Sequence, residues 1–458
     1  MIPERLQPIL DEVRPLADRF EVAGHRVYLV GGMVRDLVLG TDTTTKDFDL
    51  TTDARPEQVK GLLEGWADAV WTQGERFGTI GARRGDAVYE ITTHRAEAYM
   101  PDSRKPDVAF ADDITADLSR RDFTVNALAL RVPEPELVDP FGGVDDLAAK
   151  RLRTPLSPEE SFTDDPLRML RAARFIAGYG LEPEPGVVDA VRSLRSRMEI
   201  VSAERVSDEL SKLLVVPDPT AGLWFLVDTE LSDEFLPELR GMRLEQDPIH
   251  RHKDVLSHTL AVVRKTRPEL VVRLAALLHD IGKPKTRSIG PRGVSFHHHE
   301  VVGARMARDR LRALRFPNDV VDAVSQLVFL HLRFHGYGDD VWTDAAVRRY
   351  VRDAGPLLDQ LNELTRCDCT TRNERRARML AARMDALEAR IAELREREEL
   401  AAIRPDIDGN RVMELLGVGP GPVVGEALAM LLEARLDEGP LGVEEAERRV
   451  REWWSRRA

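Results

Sequence analysis

The sequence predicts an α/β head, a mixed sheet with helices, followed by a mostly all-α neck, body and tail. In the first 150 or so residues, the apolar run RVYLV (26–30) and the segment DFDLTT (47–52) predict strands. The segment GTIGARRGDAVYEITT (78–93) predicts a hairpin that turns at Arg84-Gly85-Asp86. From about residue 158 onward the apolar residues recur with helical periodicity, so the remaining chain is expected to be helical.

Length and composition limit the classes of protein that fit. A chain of 458 residues is too long for one compact domain, and its 43% apolar content suffices for two to four cores. Only Cys367 and Cys369 are present, which excludes a disulfide framework and a zinc ribbon. No run approaches the roughly 20 apolar residues of a membrane span, and the N-terminus does not resemble a signal peptide. We therefore expect a cytoplasmic protein without a membrane partner.

Two carboxylates dominate the strand DFDLTT. Residues i and i+2 of a strand point to the same face, so Asp47 and Asp49 project together while Phe48 turns into the core. Such a pair suits a hard dication, most simply Mg²⁺ with its waters and substrate phosphates. Glu90 in VYEITT is the candidate third carboxylate of a two-metal site. A D-x-D segment in a solvated turn is the alternative interpretation.

A glycine pair precedes these carboxylates at the junction of a strand and a short helix that ends at Gly40. Gly31 and Gly32 would let backbone N–H groups approach a triphosphate at the helix N-terminus. Arg35, one turn into the helix, is predicted to reach the same phosphates. The chain contains neither GxxxxGK[ST] nor GxGxxG, so any nucleotide is held by another design.

Five motifs follow one another in a fixed order. They are LVGGMVRDLVLG (29–40), DFD (47–49), RRDFTVNALAL (120–130), DPFGGVDDL (139–147) and DDPLRMLRAARF (164–175). Together they resemble the tRNA nucleotidyltransferase and poly(A) polymerase family, specifically its bacterial CCA-adding type. The resemblance covers roughly residues 25 to 215.

That resemblance implies a role for several residues. Asp47 and Asp49 would bind catalytic Mg²⁺, with Glu90 as the third carboxylate. The R-R-D segment would contact the sugar and phosphates of the nucleotide, which implicates Arg121 and Asp122. DPFGG would be the hinge between head and neck.

The segment DDPLRMLRAAR carries the prediction about base selection. Asp165 and Arg168 are three residues apart and, on one helix, would be neighbours, with Arg171 and Arg174 continuing the stripe. The family uses this Asp/Arg pair as a protein template. A carboxylate accepts from the amino group of C or A, and Arg donates to the ring nitrogen that both bases offer. The family usually has Glu-Asp where this chain has Asp164-Asp165. An amphipathic helix with ion pairs is the plainer alternative.

A second constellation lies in the helical body, where most of the eleven histidines fall. It resembles the H…HD…D pattern of the HD metallophosphohydrolase superfamily. The ligands that this resemblance implies are His258, His279, Asp280, His299, His331 and Asp368. Imidazole with carboxylate suits a transition metal better than Mg²⁺. A degraded site with histidines serving only the core is the alternative.

The tail segment RPDIDGNRVMELLGVGPGPVVGEAL (404–428) resembles a C-terminal segment of the family. Gly417, Gly419 and Gly421 would offer N–H groups to phosphate, or they would simply form a turn. The Arg/Glu-rich helix 376–401 is a candidate tRNA-binding face in an otherwise acidic chain of net charge −13, and a solvated helix face is the alternative. The predicted domains are a head (1–150), a neck (151–220), an HD-type body (221–375) and a tail (376–458).

The predicted function is template-independent addition of C, C and A to tRNA 3' ends from CTP and ATP with Mg²⁺. A phosphohydrolase activity of the HD site, with a second divalent metal, is a possible addition that rests on analogy of fold. Within the family, a poly(A) polymerase and an enzyme adding only CC or only A stay open. From other classes, an HD phosphohydrolase with an RNA-gripping head and a non-catalytic tRNA-binding module stay open.

Overall fold

The computed structural model describes residues 6–41, 46–98, 107–244, 254–290, 293–334, 342–369, 373–398 and 403–457. The chain divides into two compact units, Met1–Pro237 and Glu238–Ala458. Each unit has its own secondary structure and buried core. No helix among the described residues is long and apolar enough to cross a membrane.

The first unit is built on a mixed sheet, as predicted. Its strands in chain order are β1 Val27–Val30, β2 Asp47–Thr52, β3 Ala69–Trp71, β4 Thr79–Arg84, β5 Ala87–Thr93, β6 Arg95–Ala98, β7 Asp107–Phe110, β8 Ala129–Val132 and β9 Glu136–Val138. Seven of them form one sheet in the order β3-β4-β5-β2-β1-β8-β9, and β6 and β7 form a separate pair. Strands β2 and β5 run parallel, whereas every other pair in this sheet is antiparallel.

Ten helices complete the described part of this unit. They are α1 Gln7–Val22, α2 Gly32–Leu39, α3 Pro56–Leu63, α4 Ile114–Ser119, α5 Gly143–Ala148, α6 Pro158–Asp164, α7 Leu167–Tyr179, α8 Pro185–Leu194, α9 Ala203–Leu214 and α10 Thr220–Asp228. Helix α2 ends at Gly40 in the left-handed conformation, as the sequence predicts. Ser157 and Glu160 form a capping box at the start of α6.

Alternation along the strands separates a buried face of the sheet from the face that carries the carboxylates. Phe48 is 3% exposed, and its ring stacks on that of the fully buried Tyr89, with centroids 5.2 Å apart. Asp47, Asp49 and Glu90 occupy the alternate, exposed positions of the same two strands. The interior therefore fixes the direction in which the carboxylates point.

The second unit is mostly helical. Its helices are α11 Glu238–Gly241, α12 Val255–Lys265, α13 Leu270–Leu278, α14 Lys283–Thr286, α15 His299–Ala313, α16 Asn318–Leu330, α17 Asp344–Ala354, α18 Leu358–Asp368, α19 Glu374–Arg397, α20 Gly409–Leu416, α21 Pro422–Glu438 and α22 Val443–Ser455. A short hairpin, β12 Arg287–Gly290 with β13 Gly293–Phe296, lies between α14 and α15. The last three helices share an apolar cluster that includes Val412, Leu431 and Val450.

Candidate active site

Two neighbouring parallel strands bring the predicted carboxylates together. Asp49 on β2 is the register partner of Glu90 on β5, and Asp47 lies two residues before Asp49 on the same face. Paired residues of adjacent strands have Cβ atoms about 5 Å apart. Three carboxylates thus lie on one side of the sheet with Phe48 on the other side.

The negative charges of the three carboxylates repel one another. Burial, followed by the nearby Glu90 carboxylate, raises the pKa of Asp49 above its usual range, and Asp47 adds to the effect. The Arg121 guanidinium opposes the shift without cancelling it. A bound cation would relieve this repulsion, so the donor set fits a divalent metal with oxygen ligands.

The glycine pair lies beside these carboxylates. Gly31 precedes α2 with φ of 75° and ψ of −142°, a conformation that L-residues rarely adopt. A Cβ atom at this position would lie 3.5 Å from Arg121 Nη1 and 3.7 Å from Asp49 Oδ2. The backbone at the start of α2 is therefore directly open to the charged site, as the sequence predicts for a phosphate-binding turn.

Replacing Gly31 by alanine tests this close approach. The backbone conformation alone should cost about 1–3 kcal/mol of stability. The new methyl group would also intrude between the start of α2 and the carboxylates, so we expect kcat/KM for the nucleotide to fall about tenfold, or ~1.4 kcal/mol. Thermal unfolding and steady-state kinetics measure the two effects. The control is Gly85→Ala in the β4–β5 turn, where φ is 58° and nothing lies nearby. Equal loss of activity in both variants would contradict the assignment.

Arg35 lies beside the glycine turn, where a Cβ atom at Gly32 would be 3.3 Å from its Nη2, but its guanidinium is held by other partners. Its guanidinium donates to Asn126 Oδ1 at 2.7 Å and to Asp36, and it lies 4.1 Å from the centroid of the Tyr179 ring. The residue is only 6% exposed. A direct phosphate contact would require Arg35 to leave these partners. In this geometry it instead joins α2 to Asn126 and to α7.

The R-R-D segment is held by a residue that the sequence interpretation missed. Asp117 is fully buried and forms ion pairs with Arg120 at 2.8 Å and Arg121 at 3.2 Å. Burial alone would raise the pKa of Asp117, but the two guanidiniums outweigh it and lower the pKa to about 2. Arg121 is thus anchored on one side by Asp117 while its other side faces Gly31 and Asp49.

Asp117→Asn should release Arg121 from this position. We expect a rise of at least about tenfold in KM for the nucleotide, or ~1.4 kcal/mol, because the guanidinium loses its counter-charge and its fixed direction. The matched control is Asp53→Asn, which breaks the ion pair with Arg26. Nucleotide titrations at constant RNA measure KM, and Asp117→Glu should recover part of the loss. An unchanged KM in a variant whose melting temperature falls like that of the control would make Asp117 purely structural.

Asp122 contacts the neck rather than an open site. It accepts from Arg171 Nε at 2.9 Å and from Asn126 Nδ2 at 3.0 Å, and it is 8% exposed. Burial acts to raise the pKa of Asp122, and Arg171 with Asn126 lowers it to about 2. Arg174, one turn after Arg171, bonds Glu209 of α9. Asp122, Arg171 and Arg174 therefore join the R-R-D segment to α7 and α9, and their contacts with a nucleotide stay a prediction.

The prediction that Asp165 and Arg168 share one helix is wrong. Helix α6 ends at Asp164 and α7 begins at Leu167, because Pro166 lacks the N–H that a continuous helix needs. Asp165 lies at the break, where it accepts from the Leu167 N–H at 3.2 Å and from Arg205 Nη2 at 2.7 Å. Its side chain is 25% exposed, so the carboxylate is accessible to solvent.

Arg168 has partners other than Asp165. Its guanidinium donates to the backbone oxygen of Ser161 at 3.2 Å and to Ser161 Oγ at 3.0 Å. It also donates to the backbone oxygen of Arg120. The predicted base-reading segment and the R-R-D segment are therefore bonded directly to each other.

The second unit brings all six predicted HD-site residues into one cluster. Two groups of three have ligand atoms within 4.8 Å of one another, and they share one residue. The groups are His258, His279 and Asp280, and Asp280, His299 and His331. Asp368 contacts His258 Nε2 at 2.9 Å.

Asp280 divides its two oxygens between these groups. Oδ2 lies 3.2 Å from His279 Nε2 and 3.5 Å from His258 Nε2, whereas Oδ1 lies 3.4 Å from His299 Nε2. Burial would lower the pKa of His279, yet Asp280 and Asp368 raise it to about 10, which reflects the strong negative potential there. Lys283 Nζ also contacts Asp280 Oδ2, at 2.6 Å.

Backbone contacts orient three of the imidazoles. His279, His299 and His331 each place Nδ1 within 2.6–2.8 Å of a carbonyl oxygen three residues earlier. An Nδ1–H that donates to a carbonyl directs Nε2 to the metal, and a metal that binds there takes the place of any Nε2 proton. Each of these Nε2 atoms faces the centre of the cluster, as metal ligation requires.

A glycine turn beside three carboxylates on one face of a mixed sheet is the arrangement of a nucleotidyltransferase head, and it lies in the first unit. A model of the Poly A polymerase head domain matches residues 27–153. A model of the Probable RNA and SrmB-binding site of polymerase A matches residues 180–242, and an HD domain model matches residues 255–395.

The curated relatives identify the family. The A-adding tRNA nucleotidyltransferase of Deinococcus radiodurans is 36% identical over 93% of this chain and 95% of its own length. The chain therefore belongs to the tRNA nucleotidyltransferase and poly(A) polymerase family. The CCA-adding enzyme of Lactobacillus helveticus is also 36% identical, over 52% of this chain and 58% of its own. Family membership implies the use of a divalent metal.

Solved structures share the fold. The Bacillus stearothermophilus CCA-adding enzyme in complex with CTP has a TM-score of 0.73 at 24% identity, covering 100% of this chain and 99% of that one. A CCA-adding enzyme in complex with ATP has a TM-score of 0.65 at 18% identity, over 98% and 97% of the two chains.

Proposed function

We propose that this enzyme completes the 3' ends of cytoplasmic tRNA by adding C, C and A from CTP and ATP, with Mg²⁺ as its cofactor. The observation that carries the transfer activity is the register pairing of Asp49 with Glu90, with Asp47 on the same face. These residues lie beside a glycine turn suited to a triphosphate. The choice of C and A as the added nucleotides is supported by Asp165 and Arg168 of the neck. The choice of tRNA as the acceptor is supported by the relatives.

The residues of the head have separate tasks in this proposal. Asp47, Asp49 and Glu90 would hold Mg²⁺, which lowers the pKa of the RNA 3'-OH and neutralises the departing pyrophosphate. The N–H groups at the start of α2 and the Arg121 guanidinium bind the triphosphate. Asp117 keeps Arg121 in place, and Arg35 fixes α2 against the neck.

Base selection is assigned to Asp165. Its carboxylate only accepts hydrogen bonds, so it suits the exocyclic amino groups of C and A and repels the carbonyl groups of U and G. Arg205 already donates to this carboxylate, and an incoming base has to share or replace that contact. Arg168 would supply the donor to the ring nitrogen after exchanging its bonds to Ser161 or Arg120.

The relatives leave two products in competition. Several curated CCA-adding enzymes support CCA addition, although they align with only about half of this chain. A relative that aligns along 93% of this chain is named as an A-adding enzyme. An A-only product is therefore the nearest alternative, and the Asp165 and Arg168 pair suits both.

Transcripts of one tRNA that end before C, after C, after CC and after CCA distinguish these products. Each is incubated with Mg²⁺ and with single or mixed nucleotides, and the 3' ends are sequenced. We expect stepwise growth that stops at CCA and refuses U and G. Addition of A to CC ends alone would establish the A-adding alternative, and long A tails would indicate a poly(A) polymerase. No growth on any transcript would overturn the assignment of the head.

A second activity is favoured by the divided contacts of Asp280. We propose that the HD cluster binds divalent transition metal through its histidines and two aspartates and hydrolyses phosphoesters at damaged RNA 3' ends. Because the two three-residue groups share one carboxylate, the cluster suits a pair of metal ions about as well as it suits a single ion. Asp280→Asn tests this site through its metal content and through hydrolysis of RNA that carries a 3'-terminal phosphate.

A further inference from the structure

The row of residues that contains Asp49 and Glu90 continues to the edge of the sheet. Asp49 pairs with Glu90, Glu90 with Gly81 on β4, and Gly81 with Trp71 on the edge strand β3. Side chains of paired residues project from the same face of a sheet. Trp71 therefore shares the face of the catalytic carboxylates.

The Trp71 indole lies directly against Gly81. A Cβ atom at Gly81 would lie 2.0 Å from Trp71 Nε1 and 2.1 Å from Cε2, so no larger residue fits beneath the ring. Trp71 nevertheless remains 38% exposed. Adjacent strands are about 4.8 Å apart, which places this partly open aromatic surface about one strand from Glu90.

The two flanks of Asp49 have different surroundings. Gly31 and Arg121, the groups suited to a triphosphate, lie close to Asp49 where β1 runs beside β2. Glu90, Gly81 and Trp71 extend from the opposite side of β2. In phosphoryl transfer the attacking and leaving oxygens are roughly in line, on opposite sides of the phosphorus. The RNA 3'-OH is therefore expected on the Glu90 side, next to Trp71.

Charge on this side also suits RNA. Arg83 lies two residues after Gly81 on β4, projects from the same face and is exposed. An exposed arginine beside an aromatic ring is the combination with which proteins bind single-stranded nucleic acid, through a phosphate and a stacked base.

We infer that Trp71 stacks on the base of the 3'-terminal nucleotide of the RNA acceptor, with Arg83 beside the adjoining phosphate. The inference rests on the proposed transfer of nucleotides to RNA. It assigns an acceptor subsite to the β3–β4 edge of the sheet, separate from the nucleotide subsite at Gly31 and Arg121. Stacking is tolerant of base identity, so the subsite accepts an end that changes after each addition.

The experiment compares wild type, Trp71→Ala, Trp71→Phe and the control Val70→Ala, whose side chain projects from the other face of β3. Each is assayed on tRNA transcripts with an intact terminal nucleotide and with one that lacks only its base. We expect Trp71→Ala to raise KM for intact RNA about tenfold, because base–aromatic stacking typically contributes about 1–3 kcal/mol. KM for the nucleotide should not change, and Trp71→Phe should restore most of the affinity for RNA.

The transcript without a terminal base separates stacking from structural support. Wild type should bind it about tenfold more weakly than intact RNA, whereas Trp71→Ala should bind both equally. If Trp71→Ala retains the full preference for the intact base, the inference is overturned. A lowered melting temperature of Trp71→Ala with unchanged KM for RNA would also overturn the inference. Trp71 would then have only the structural role of covering Gly81. Failure of wild type to extend any RNA would instead overturn the proposed function.

Discussion

Asp49→Asn is expected to reduce nucleotide incorporation by at least about 10³-fold, or ~4 kcal/mol, while hydrolysis at the HD cluster continues. The side chain keeps its shape, but the cluster of three carboxylates loses the negative charge at its centre. Much of the affinity of the cluster for a divalent cation is lost with that charge. Extension of a tRNA transcript at saturating nucleotide measures incorporation. Hydrolysis of RNA that carries a 3'-terminal phosphate measures the second activity.

Asp18→Asn is the control for that substitution, because Asp18 is an exposed aspartate of α1 in the same unit. It should leave both activities and the melting temperature unchanged. Incorporation by Asp49→Asn close to the wild-type rate would show that the row of Asp49 and Glu90 is not the transfer site. Loss of hydrolysis with retained incorporation would exchange the roles assigned to the two units.

Asp280→Asn should have the converse result. Asp280 contacts both three-residue groups, so its substitution removes a shared anionic ligand from each. The loss of metal affinity should exceed the roughly 10- to 100-fold that follows from loss of an outer hydrogen-bond partner. Elemental analysis after dialysis against a fixed free metal concentration measures the binding, and hydrolysis should be lost with it. Incorporation by the head should remain.

The control for this variant is Asp309→Asn on the exposed side of α15. It should retain metal and hydrolysis. An Asp280 variant that binds as much metal as wild type would contradict the proposed metal site. Retention of metal by a wild-type protein that does not hydrolyse RNA phosphoesters would restrict the cluster to a structural role.

Local patterns were sufficient to predict the catalytic strand and its neighbours. The alternation in DFDLTT fixes which side chains face the core, and Gly85 marks the hairpin turn that brings Glu90 beside Asp49. The grouping of the six HD-site residues was also predicted, in this case from the resemblance to the HD superfamily, and their binding of a metal stays a prediction. Helical periodicity predicted the remaining elements because their apolar positions are regular.

The sequence was uninformative where partners are distant along the chain, and one error arose where a local rule was overlooked. Arg35 and Asn126 are 91 residues apart, so the hydrogen bond between them could not be predicted from the helix of Arg35. Asp117 lacked a signal because a lone aspartate in a short helix is usually exposed. The helix break at Pro166, in contrast, was predictable from the proline itself, which disfavours the helical conformation of the residue before it.

The fidelity of nucleotide addition is affected by three consecutive residues, Arg120, Arg121 and Asp122. Arg120 is bonded through its backbone to Arg168, Arg121 lies against Asp49, and Asp122 is paired with Arg171. Adjacent residues on so short a length of backbone cannot move independently.

A base that fits poorly beside Asp165 and Arg168 would displace the arginine next to the reacting phosphate as well. Discrimination against U and G is then expected to appear in the turnover number as well as in binding, which allows an enzyme without a template to reject a mispositioned nucleotide after it has bound.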